Sequence, residues 1–192
     1  MVIVLPFPAP PATVEDALRV VAVLTRGSAQ EQAALAGTGA PQLPWDPGTC
    51  SDEVLRADLW CWCELVAVWL NREHAWRPQQ MIPLCWPRHP HIARELPLLA
   101  VLRWQAQTTL DPQLLEDWQR YALPGFSSRM FERLGDSTCR AGRHQDWPGA
   151  SRHAAHTDPA ASRDRHQLFR LSLSSLLCKS CCGLDHLVVG RS

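Results

Sequence analysis

The sequence predicts an all-α fold: a small helical bundle at residues 51–135, preceded by a helical N-terminal arm with a Pro/Gly linker at 1–50 and followed by a mostly disordered tail at 136–192. Three observations carry this expectation. Apolar residues between 51 and 135 recur at steps of three and four, the period of one helix face. Runs of that kind open on helix-start signals, an acidic or hydroxyl residue or a proline in the first turn. Of the 192 residues 46% are hydrophobic and 20% charged, so the chain holds a core, and large apolar residues thin out at 139–166.

In chain order, Thr13 with Glu15 and Asp16 reads as a cap and an acidic first turn, and Val14, Leu18, Val21 and Leu24 form the apolar face that Gly27 ends. Ser28 and Glu31 have the spacing of a capping box for a short helix to Ala36. The Gly and Pro density of 37–50 marks a linker in which Trp45 can still dock on the core. Ser51, Asp52 and Glu53 then open the strongest helix, with the stripe Leu55, Leu59, Trp62, Val66 and Trp69. Leu65, Val68 and Leu70 widen that stripe so far that the helix should be covered by at least two partners, as the centre of the bundle. Arg77-Pro78 closes it. An extended connection leads to His89-Pro90, the start of a helix with Ile92, Leu96, Leu99 and Leu102 on one face and a kink expected at Pro97. Asp111-Pro112 caps the next helix, which carries Leu114, Leu115, Trp118 and Tyr121. Pro124-Gly125 should bend or divide it before Phe126, Met130, Leu134 and the stop at Gly135. Residues 139–166 are rich in Arg, His, Ala and Asp, and 167–192 turn abruptly to Leu, Ser and Cys, as in a tail unrelated to the fold.

Nineteen basic residues balance nineteen acidic ones, which excludes a chain-wide field for nucleic acid or anionic lipid. Lys179 is the sole lysine, a composition bias rather than a phosphate signature. The start of the chain lacks a basic region and is broken by Pro6, Pro8, Pro10 and Pro11. The expectation is therefore a cytoplasmic protein with reduced thiols, no membrane span and no cofactor.

The strings WLNREHAWRP, IPLCWPRHPHIARELPLL and EDWQRYALPGFSSRM within 69–130 resemble an actinobacterial Trp-rich domain family of unknown function, encoded near plasmid-transfer and other mobile-element genes. The resemblance covers roughly 60–156, is most specific at Cys85-Trp86-Pro87-Arg88-His89, and implies an accessory role without naming an activity.

Three Cys/His groups are candidate metal ligands. Cys85, His89 and His91, with His74 nearby, lie in a proline-rich segment but match no standard zinc finger, so a packed loop is the favoured reading. Cys139, His144, His153 and His156 form a second group, and Cys178, Cys181, Cys182 and His186 a third. Cys61 and Cys63 read as core thiols. Gly125-Phe126-Ser127-Ser128 lacks the second glycine of a nucleophile elbow, Gly37-Thr38-Gly39 lacks the third glycine of a dinucleotide fingerprint, and no Walker lysine exists, so no enzyme is expected. The nine tryptophans are the unusual feature. The expected role is a non-catalytic interaction module that docks a protein partner through Trp76, Trp86 and Trp104. The alternative is nucleic-acid binding by Arg140, Arg143, Arg152, Arg163 and Arg165 around Trp147.

Overall fold

The computed structural model of the chain describes residues 4–37 and 39–182, the side chains of 140 and 173–182 excepted. Among the described residues all regular structure is helical, as expected. The chain divides into two compact units, Met1–Gln145 and Asp146–Ser192.

The first unit holds α1 (Ala12–Arg26), α2 (Ala29–Ala34), α3 (Glu53–Glu73), α4 (Pro90–Thr108), α5 (Gln113–Asp117) and α6 (Leu123–Leu134). Helix α3 packs against α1 on one side and α4 on the other, and α4 packs against α5 and α6. The stripe Leu55, Leu59, Trp62, Val66 and Trp69 is buried throughout, and it meets Ile92, Leu96 and Leu99 of α4 together with Trp118, Phe126, Met130 and Leu134. Asp52 caps α3 by accepting from the Leu55 N–H at 2.8 Å, and Ser28 and Glu31 form the expected capping box on α2.

Four departures from the sequence reading have physical causes. Phe7, Val14, Cys50 and Cys139 belong to the same core as the bundle, so the compact unit is wider than 51–135. The reason is the tryptophans: a buried indole N–H needs an acceptor, and the proline-rich start of the chain, in no ladder of its own, has carbonyls to offer. Trp62 Nε1 donates to the Pro8 carbonyl at 3.0 Å and Trp69 Nε1 to that of Leu5 at 3.1 Å. Second, α1 starts on Pro11 instead of Thr13, whose hydroxyl donates to Asp58 of α3 at 2.6 Å. Third, Leu65 and Val68 are exposed, so among the described residues one face of α3 lacks the cover expected of a central helix. Fourth, the helix around Pro124 runs on through a π-helical turn, Trp118–Ala122. Proline has no N–H for the usual partner four residues back, and the Leu123 N–H bonds to the Trp118 carbonyl, five back.

The second unit carries α7 (Ala150–Thr157) and α8 (Pro159–Cys182) where a mostly disordered tail is expected from the sequence. Between 151 and 172 every side chain except half-buried Ala161 and Ser162 is exposed. Helix is reached there through local backbone bonding, and the expected lack of a core holds for these residues.

Candidate metal centre

Two short turns of the first unit, far apart in sequence, bring four ligand side chains together. The first turn spans residues 85–89. Trp86–Arg88 is a 3-10 turn started by the Trp86 N–H on the Pro83 carbonyl, and His89 follows it as the N-cap residue of α4 with Pro90 at the first helical position. The central Trp86 anchors this turn to α3: it is 2% exposed, stacks on Trp60 at 4.8 Å, and donates its indole N–H to the Glu64 carboxylate at 2.8 Å. Cys85 and His89 are left on one side, Sγ and Nε2 3.3 Å apart.

The second turn spans 138–145. After the 3-10 segment Thr138–Ala141 the chain reverses at Gly142, whose φ of 80° lies in the left-handed region that suits glycine. The Arg143 N–H bonds back to the Thr138 carbonyl, and the Thr138 hydroxyl donates to the Arg143 carbonyl at 3.0 Å. This closure returns His144 to Cys139, with Nδ1 and Sγ 3.8 Å apart. The Gln145 N–H donates to the Cys139 sulfur at 3.1 Å.

The ligand atoms of Cys85, His89, Cys139 and His144 all lie within 4.8 Å of one another. Tetrahedral zinc, with Zn–S near 2.3 Å and Zn–N near 2.0 Å, spaces its ligand atoms about 3.3 to 3.8 Å apart. Both within-turn pairs already have that spacing, and the two turns need to close by no more than about 1.5 Å. The imidazoles of His89 and His144 meet edge to face, centroids 5.1 Å apart. Cys139 and His89 are buried, Cys85 and His144 half-buried. Burial, and then the neighbouring Cys139 thiol, push the Cys85 thiol above its ordinary range. A dication held by these residues would offset both effects and let two adjacent sulfurs be thiolates together.

The constellation takes half of each of two groups seen in the sequence. His91 and His74 are outside it: the His91 ring is 5.8 Å from that of His89, and His74 packs between Trp69 and Trp118. His153 and His156 lie on α7 of the second unit, and the group of Cys178, Cys181, Cys182 and His186 lies outside the described residues and side chains. The readable signal was the pair of half-motifs, Cys-x3-His and Cys-x4-His, each supplying two of the four ligands that a structural zinc needs.

Of the tryptophans expected at a docking surface, Trp76 is 91% exposed, Trp104 is half-buried against the core, and Trp86 is buried. The expectation of an exposed Trp86 is corrected by its two partners on α3. Cys63 is a buried thiol as expected, whereas Cys61 is exposed. Ser127 and Ser128 lie on α6 beside a groove of about 700 Å³ shared with His74 and Arg77, on a helix and not on the strand-to-helix turn of a nucleophile elbow. In the second unit, Arg152, Arg163 and Arg165 are exposed, as is Trp147, which stacks on His153 at 5.7 Å. Arg143 is exposed in the first unit, and the Arg140 side chain is outside the described set. No described helix is long and apolar enough to cross a membrane. No protein-family model, curated protein or solved structure matches the chain.

Proposed function

We propose that this protein is a zinc-binding, non-catalytic helical interaction module, whose compact unit is closed by one zinc ion on Cys85, His89, Cys139 and His144. The convergence of these four ligand atoms carries the reading. Four protein ligands fill a tetrahedron and leave no position for water or substrate, so the ion is structural. Two thiolates balance its charge, which makes a half-buried site tolerable. The ion ties residues 138–145 to the start of α4, and the role of the whole is the accessory one that the family resemblance implies, with Trp76 as its exposed docking ring.

The test is metal content of the full-length protein by elemental analysis, with cobalt substitution for geometry. One zinc per chain is expected, and cobalt should give the visible absorption of a tetrahedral thiolate site. Cys139→Ser and His144→Ala should lose the metal, whereas a variant with serine at 178, 181 and 182 should keep it. Zinc-free protein, or zinc lost with the tail cysteines and kept without Cys139, would overturn the assignment.

A further inference from the structure

Helix α3 has a second apolar face, opposite the one that forms the core. Val54, Ala57, Cys61, Leu65 and Val68 follow one another at helical spacing, and all five are exposed, with Val54, Leu65 and Val68 between 57% and 61%. At 1.5 Å per residue the face is about 21 Å long. The order of its residues is symmetric about Cys61: Val54 and Val68 stand equally far from it on either side, and so do Ala57 and Leu65. A partner related by a two-fold axis presents the same patch reversed, so a row spaced evenly about its centre sets apolar residue against apolar residue in an isologous contact.

We infer that this face is a homodimer interface, in which α3 pairs antiparallel with α3 of a second copy across a two-fold axis at Cys61. Val54 then meets Val68 of the second copy, Ala57 meets Leu65, and Cys61 meets Cys61. The ends of the pair match in charge. Arg72, exposed at the C-terminal end of the face, comes level with the first turn of the other α3, where Asp52 and Glu53 lie. The antiparallel helix dipoles also attract. In the centre, Asp58 and Glu64 stand to the sides of the apolar row, held by Thr13 and by the Trp86 indole. Trp60, 38% exposed beside Cys61, enlarges the contact on one flank. A single helix pair is small among specific interfaces, so the dimer should depend on concentration in the micromolar range. The inference is independent of the metal, because none of the four ligands lies on α3.

Sedimentation of the full chain over a concentration series tests it. The expected result is a monomer–dimer equilibrium that Val68→Glu and, separately, Leu65→Glu shift to monomer with unchanged helical circular dichroism. In a background with serine at 178, 181 and 182, a short bis-maleimide should cross-link two chains through Cys61, because Cys50, Cys63 and Cys139 are buried and Cys85 is half-buried, and Cys61→Ser should abolish the product. A monomer at every concentration would overturn the inference, with Cys61 shielded from alkylation if the chain's own C-terminal residues cover the face and reactive if nothing does. So would a dimer indifferent to Val68→Glu.

Discussion

Trp62 is fully buried and tied by its N–H to the Pro8 carbonyl, so Trp62→Ala should cost about 3 to 5 kcal/mol in urea melts, the range for deleting a core aromatic. Arg103 shows how an arginine can sit half inside an aromatic core. Its guanidinium carbon lies 5.3, 5.9 and 5.6 Å from the ring centres of Phe7, Trp69 and Trp118, and burial lowers its pKa without taking its charge. Arg103→Met, which keeps the stem and removes the cation, should lose about 0.5 to 2 kcal/mol by the same assay. His74 lies beside this cage, and burial, then the Arg103 charge, hold its pKa below the usual 6.5 against the pull of Glu73. The unfolded chain therefore binds the proton more readily than the folded one. The resulting stability is complete above the ordinary histidine pKa and is lost as pH falls through the folded value. Melts between neutral and mildly acidic pH should show a shallower decline for His74→Phe than for the native protein.

At the level of elements, α3 was the most legible part of the sequence, because its core stripe and its Asp52 cap are local patterns. The caps at Ser28 and at His89-Pro90 were legible for the same reason. What the pattern could not say is which of two apolar faces the chain itself covers, since Leu65 and Val68 are as hydrophobic as the residues that are buried. The metal ligands were readable only as halves, because their meeting depends on how α4 and α6 pack, a matter of tertiary structure. Helix α2 offers a contrast. It buries no side chain and rests on its capping box. Ser28→Ala should fray it by about 0.5 to 2 kcal/mol, seen as faster amide exchange at Glu31 and Gln32, while the global melt stays put.

For the whole molecule, the wide core makes the boundaries matter. A chain of residues 47–135 loses the Leu5 and Pro8 carbonyls, Phe7, Val14 and Cys139, and should melt without cooperativity, while a chain of 1–145 keeps all of them and should melt as one unit. Thermal scans of the two by circular dichroism decide this, and equal cooperativity would place the arm outside the core. Chelation should lower the midpoint of the 1–145 chain and leave a Cys139→Ser version unmoved. The spacing of the two turns also sets a timetable for synthesis. Cys85 and His89 leave the ribosome first, and Cys139 and His144 follow about fifty-five residues later, a delay of roughly 3 to 11 s at ordinary elongation rates. Helices α1, α3 and α4 thus have seconds in which to find each other before the last two ligands exist, so the proposed zinc would be captured by a nearly finished bundle instead of seeding one.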